Sequence, residues 1–218
     1  MSIKNIEIGI VSINNHLVRM AQLAELQIEN AVEALLTNNT ALAEEVKVND
    51  CVIDDLQKII EDQAIKLIAT QQPVASDLRK LFTTIKIVTD VERMADYAVD
   101  IARIALILKD ISYDFDMSEI KKMSSIAVQM LRESIDAYTA KDDERAYEIT
   151  KMDDDIDMGL VNLIKYLYYD FPHTEENSII LSQLNFVGKY LERIGDHATN
   201  ICEWTIYIVT GEYVELNI

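Results

Sequence analysis

Proline occurs twice and glycine five times in 218 residues. So few turn-formers exclude the many short strands of a sandwich or barrel and require long, uninterrupted elements. Half of the residues are hydrophobic, which over this length is enough to bury a sizeable core. There are only two cysteines, Cys51 and Cys202, with neither a CxxC nor zinc-type spacing. That excludes a disulfide scaffold, and both thiols fall within helical apolar patterns, where a reduced cysteine acts as a small core residue. With three histidines, no HExxH, no Ser/His/Asp or Cys/His pairing and no glycine-rich phosphate loop, the familiar catalytic motifs are missing. Basic residues are also scarce: 20 Lys and Arg against 38 Asp and Glu leave a net charge of −18. Such a chain is repelled by nucleic acid and anionic lipid and favours basic partners. Its nearest approach to a basic cluster is "DLRK" at 77–80. No apolar run approaches the ~18 residues of a membrane span. The opening "MSIKNIEIGIV" lacks the basic start and unbroken apolar segment of a signal peptide. The expectation is a cytoplasmic protein without direct membrane insertion or nucleic-acid binding.

What the chain does have is helical periodicity. Ile6, Ile10, Ile13, Leu17, Met20, Ala24, Ile28, Ala31 and Leu35 recur in steps of three and four, a single apolar stripe. "TNNT" at 37–40 ends that helix, and Asn39 or Thr40 is suited to cap a second, running to about Thr70. Pro73 interrupts, and Ser76 offers the cap of a third helix that reaches roughly Lys109. "DISYDFDMS" at 110–118 has no helical period and lies at the midpoint. Beyond it the pattern predicts helices over 119–140, with Ser118 as cap, over 142–169, and from "TEENS" at 174–178 to Gly211. The reading is all-α: two tandem three-helix bundles, six long helices in all, with a first bundle at 1–109, a connector at 110–117 and a second bundle at 118–218.

The halves match in detail. "VERMADYAVDIA" at 91–102 returns as "LERIGDHATNIC" at 191–202, and "DCVID" at 50–54 as "DDDID" at 153–157. Pro73 corresponds to Pro172, so an internal duplication accounts for the plan. Each half thereby holds two carboxylate pairs one helical turn apart: Asp50 and Asp54 with Glu92 and Asp96, then Asp153 and Asp157 with Glu192 and Asp196. Asp100 extends the first series, and Asn200 takes its place in the second.

At about 100° per residue these acids continue the apolar stripe instead of the solvated face. Like charges so spaced destabilise a helix by roughly 0.2–0.5 kcal/mol. Taking them out of water costs several kcal/mol each unless a positive charge compensates. Three compensations are open on the residues alone. The acids could pair with Arg79, Arg93, Arg193 or nearby lysines. They could hold two clusters of oxygen-loving ions such as Mg²⁺, Ca²⁺, Mn²⁺ or iron. Or they could act as catalytic acid and base. The Glu-x-x-His of ferritin-like di-iron sites is missing, since Ala95 and Gly195 stand three residues after Glu92 and Glu192. His197 adjoins Asp196 but is rotated about 100° from it, which makes it a capping or surface residue before a ligand.

"QQPVASDLR" at 71–79 together with the two Glu-Arg motifs resembles the PhoU family of bacterial phosphate-signalling regulators. The resemblance spans nearly the whole chain, and "LERIGDHATNI" is its most specific part. It implies a helical cytoplasmic protein that restrains phosphate uptake and represses the starvation response. It would do so through contacts with the ATPase subunit of the phosphate ABC transporter and with a sensor histidine kinase. It also implies self-association as a homodimer, and bound divalent or trivalent ions whose identity stays open among iron, manganese, magnesium and zinc. Carried over, the ion-holding positions are Glu92, Asp96, Asp100, Asp50 and Asp54 in one half. In the other they are Glu192, Asp196, Asn200, Asp153 and Asp157. Departures are Ala95 for a motif glycine, Tyr190 for an Asp or Asn two residues before the motif Glu, and no second "SDLR". These predict unequal sites, with the first holding metal more strongly. A regulatory, non-enzymatic protein is the leading expectation. The rivals are a metal-dependent carboxylate-bridged enzyme and an accessory protein of a different transporter.

Overall fold

The computed structural model describes residues 2–111, 115–175 and 177–216, with side chains from Asn5 onward. Part of the expected connector, 112–114, and one residue of "TEENS", Glu176, lie outside the described residues. Among the described residues the chain is wholly helical: α1 Ser2–Thr37, α2 Thr40–Gln71, α3 Ala75–Leu108, α4 Ser118–Ala140, α5 Asp143–Thr150, α6 Asp153–Lys165 and α7 Ser178–Thr210, with a π-helical turn at Tyr166–Asp170. None of these helices is long and apolar enough to cross a membrane. The first bundle is α1, α2 and α3; the second is α4, the α5–α6 rod and α7. They join along α3 against α7 and α1 against α4.

The α1 stripe is the spine of the core. Ile13, Leu17, Met20, Ala24, Ile28 and Ala31 are shut off from solvent, and each large side chain so buried contributes about 1.5–3 kcal/mol. Short turns follow where the residues demand them. Asn38 (φ 53°) and Lys141 (φ 57°) take the left-handed conformation in equivalent turns, 103 residues apart. The next residue in each case, Asn39 or Asp142, caps the following helix by accepting from Leu42 N at 3.1 Å or Arg145 N at 2.9 Å. Gly211 (φ 82°) ends α7 as expected.

Three expectations are corrected. Neither Ser76 nor Ser118 caps a helix: α3 is capped two residues earlier, at Val74, and α4 starts at Ser118 itself, whose N–H bonds to Asp116 at 2.9 Å. The helix expected over 142–169 is broken at Lys151 and Met152, where the N–H groups reach back three residues to Glu148 and Ile149, and it ends in the π turn. Those two residues stay close to helical dihedrals (φ −68°, ψ −18°; φ −72°, ψ −19°), so the rod tightens and bends without reversing. Finally, Cys51 is exposed, while Cys202 is buried and its thiol is pushed up to about 12 by burial, with Glu203 and Asp153 adding to the rise.

The seam between the halves is partly polar. Thr84 on α3 and Tyr138 on α4 share a hydrogen bond of 2.8 Å, and burial pushes the Tyr138 phenol up to about 12. On one side of the α3–α7 contact the buried Asp90 accepts from Asn200 Nδ2 at 3.1 Å and pairs with His197 Nδ1 at 2.9 Å. The sister side holds the equivalent positions, Tyr190 and Tyr97, stacked with centroids 5.6 Å apart. The C-terminal segment folds back over α7, where the buried Glu203 accepts from Leu216 N at 2.6 Å and Tyr213 OH at 3.4 Å.

Candidate metal centres

The two Glu-Arg motifs lie at the same depth. Val91, Met94, Ala95 and Ala98 are buried on α3, as are Leu191, Ile194, Gly195 and Ala198 on α7. In both copies the positions at 92/192, 96/196 and 100/200 are half-buried. The acids therefore occupy the flank of the apolar stripe, looking toward α2 in one half and the α5–α6 rod in the other.

In the first half four carboxylates are mutual neighbours. Burial raises Glu92 above the usual carboxylate range, and Asp96, Asp54 and Asp50 raise it further. Burial likewise raises Asp96, with Asp50 the leading negative neighbour. Asp50 is raised by burial too, but Gln27 on α1 partly relieves it by donating to its Oδ1 at 2.8 Å. The same amide reaches Ala95 O at 3.2 Å. Asp100 stands at the edge, paired with Arg103 at 2.6 Å. Arg93 lies 3.4 Å from Asp96 and 3.6 Å from Glu92.

The second half is more severe. Asp153 is pushed up to about 7, by burial first and then by Asp196 and Asp157, with only a long bond from Thr199 Oγ1 (3.4 Å) to relieve it. Asp196 and Asp157 are also raised, by burial and then by Glu192. The Asp196 side chain is 27% exposed where Asp96 is 42%, so water screens this cluster less. Among the described residues Asp153 Oδ1 and Glu192 Oε2 are buried without a hydrogen-bond partner. For Asp50 and Asp153 the difference lies partly in one residue. The offset of 103 that relates Asp50 to Asp153 places Met130 where the first half has Gln27.

Gly195 matters for the same reason. A Cβ there would collide with Asp153 Oδ1 and come within 3.0 Å of Ile156 Cδ1. In the first half Ala95 carries that Cβ, and Asp50 is held by the Gln27 amide. Asn200 does not join the second cluster: it donates to Asp90 across the seam. His197 is neither a cap nor a free surface group, because it pairs with the same Asp90.

Arginine and lysine neutralise part of this charge. Lys189 bonds Glu192 at 2.7 Å, and Arg193 lies 3.0 Å from Asp196 and 3.8 Å from Glu192. These cations sit on the acids' own helices with side chains about half exposed, where such pairs are worth about 0–1 kcal/mol. Arg79 takes no part, since its guanidinium lies over the Tyr207 ring at 5.4 Å. Among the described residues no three His, Cys, Asp or Glu side chains stand in a ligating arrangement. What the geometry provides is a set of converging hard oxygen donors. In the second half two of those oxygens are buried and unsatisfied, which fits an oxygen-bound ion better than the first half does.

Gln27 is the residue of these sites that lies outside the repeated motifs. Gln27 had a signal, a polar residue between Ala24 and Ala31 on the α1 stripe.

A family model described as the PhoU domain matches residues 17–105 and again 120–205. The chain belongs to the PhoU family. It is 43% identical over its whole length, and over the whole of the relative, to a protein of Clostridium acetobutylicum named phosphate-specific transport system accessory protein PhoU homolog. A Rhizobium meliloti relative of the same name is 33% identical over 88% of this chain and 81% of its own. Two solved PhoU structures superpose with TM-scores of 0.87. The one from Pseudomonas aeruginosa is 30% identical and covers 94% of this chain and 99% of its own. The phosphate transport system regulatory protein from Streptococcus pneumoniae is 26% identical and covers 96% and 99%. The doubled family match coincides with the duplication read in the acidic motifs, one copy to each bundle.

Proposed function

We propose that this PhoU-family chain is an accessory protein of a phosphate-specific transport system, and that it acts as a cytoplasmic, metal-binding negative regulator of phosphate uptake and starvation signalling. The observation that carries the first part is the end-to-end likeness to relatives bearing that name. The metal reading rests on the second cluster, where among the described residues Asp153 Oδ1 and Glu192 Oε2 are buried with no hydrogen-bond donor. Asp153, Asp157, Glu192 and Asp196 would hold the ion there, and Asp50, Asp54, Glu92 and Asp96, with Asp100 at the rim, in the first half. Iron, manganese, magnesium and zinc are the candidates. A bound cation relieves the repulsion among the acids and ties α7 to α6, or α3 to α2. On this reading it is a staple, and the protein needs no catalytic acid, base or nucleophile.

Regulation would run through contacts with the transporter's ATPase subunit and a sensor histidine kinase, with the chain acting as a homodimer. Deleting the gene tests the circuit: phosphate uptake and alkaline phosphatase should both rise under phosphate sufficiency. Unchanged values would assign the protein to another transporter. Elemental analysis of protein purified without chelator tests the ion separately. Bound metal that Asp153→Asn diminishes is the expected result, and a metal-free protein indifferent to added Mn²⁺, Mg²⁺ or Fe overturns it.

A further inference from the structure

The only tryptophan of the chain, Trp204, is the hub of a surface cluster that the acidic sites do not use. Phe82 meets it edge-on at 6.0 Å, Tyr207 at 6.0 Å and Tyr213 at 5.4 Å. Phe82 is 45% exposed and Tyr213 54%, although large aromatics in a folded chain are usually covered. Leu78, one turn before Phe82 on α3, is also exposed. Two cations frame the rings: Lys86 lies 5.7 Å from the Phe82 centroid and 6.0 Å from that of Trp204, and Arg79 lies over Tyr207. Among the described residues neither cation has a carboxylate within ion-pair distance, in a chain where most arginines do. The acids of the patch gather at Tyr213: the buried Glu203, which accepts from its hydroxyl at 3.4 Å, with Glu215 and Asp90.

The duplication supplies a comparison. On the sister face, one hundred residues away along the same two helices, Ser178 stands for Leu78, Ile179 for Arg79 and Ser182 for Phe82. Phe186 stands for Lys86, Ile104 for Trp204 and Ile107 for Tyr207. At these six equivalent positions the sister face has no cation and one aromatic, Phe186, which stacks on Tyr190 at 6.2 Å, so the pairing of Lys86 and Arg79 with exposed rings belongs to the first face.

We propose that the Phe82–Trp204 face is a docking surface for an acidic amphipathic segment of a partner protein. An aliphatic or aromatic anchor of that segment would lie on Phe82 and Trp204, and its carboxylates would face Lys86 and Arg79. Tryptophan, tyrosine and arginine are the residues that dominate interface energetics. Charge complementarity selects the occupant. At physiological salt, charges more than about 8 Å away are screened, so an approaching segment meets these two unpaired cations and not the net charge of the molecule. Glu203, Glu215 and Asp90 set its direction, since an acidic stretch is tolerated from Phe82 toward Arg79 and repelled toward Tyr213. The surface is independent of the metal clusters and of the system the protein serves.

Trp204 makes the test direct, because all indole emission comes from the patch. The probes are three tryptophan-free helical peptides with one leucine seam and flanks of glutamate, glutamine or lysine. The glutamate peptide is expected to shift Trp204 emission saturably and to bind more weakly as salt is raised. Lys86→Glu is expected to weaken it about tenfold and Phe82→Ser about thirtyfold, the loss typical of an interface anchor, with the circular dichroism of both variants unchanged. The lysine peptide is expected to leave emission unchanged. Four results overturn the proposal: no response to the glutamate peptide, equal or tighter binding of the lysine peptide, an equal shift with neutral lipid vesicles, or a dimer in sedimentation that Phe82→Ser dissociates. The last would make a second copy of this chain the occupant.

Discussion

The most exacting consequence of the second cluster concerns Asp153. Folding carries its carboxyl from an ordinary 3.8 to about 7. The native state therefore binds the proton more tightly than the unfolded chain, and stability falls as pH rises from about 4 to about 7. Above pH 7 the ionised group is a standing cost. A rise of this size corresponds to about 4 kcal/mol, and solvent reaching this half-buried side chain reduces it to about 2 kcal/mol. Asp153→Asn removes the charge while keeping the shape. In chelator-treated protein at pH 8 the variant should be more stable by about 2 kcal/mol, roughly 4–8 °C in Tm for a chain of this length. The gain should shrink steadily as the buffer is taken down from pH 7 toward pH 5. Adding a cation that binds the native state should reverse the order, since a site at a hundredfold its Kd adds about 2.7 kcal/mol that the variant forgoes. Urea titrations at three pH values, with and without Mn²⁺, give all of these quantities. A variant that is destabilised without metal, or whose gain is flat with pH, would refute the assignment of unrelieved charge to Asp153.

Other perturbations follow from the same geometry. Gln27→Met, which copies the second half into the first, leaves Asp50 Oδ1 without its donor and should cost about 1–3 kcal/mol in urea unfolding at pH 8. Gly195→Ala puts a methyl where Asp153 Oδ1 now lies. Calorimetric titration should show at least about a tenfold loss of cation affinity at one site class only, the helix itself being favoured by alanine. Lys141→Gly relieves a left-handed residue at φ 57° and should raise stability by about 0.5 kcal/mol after the added chain entropy of glycine, read as a small increase in Tm.

Much of the architecture could be read from residue spacing because long amphipathic helices write their period plainly, and the α1 stripe from Ile6 to Leu35 is an example. Asn39 and Gly211 were legible because caps depend on local chemistry. Ser76 and Ser118 misled for the complementary reason: a serine near a helix start is a permitted cap, and only the backbone geometry shows whether its oxygen is used. The break at Lys151 and Met152 left no proline or glycine to announce it. The carboxylate pairs were visible from their spacing and repetition. What each half does with them was not, since the relief of Asp50 depends on Gln27, a residue 23 positions away on another helix. Charge count favoured the first cluster as the stronger ion site. The geometry instead leaves the greater unmet charge in the second. Asn200 and His197 were read as parts or neighbours of that cluster, but both turn to Asp90, a partner more than a hundred residues distant.

That partner has an evolutionary corollary. If the protein arose by doubling a single bundle, its ancestor met an identical copy along this helix pair, with like residues facing across the axis. The present first half could no longer do so. Two of them would bring Asp90 up against Tyr97 and Asp100, an acid facing an acid where it now finds an imidazole and an amide. The first bundle has thereby come to depend on the second, whose imidazole and amide a copy of itself could not supply.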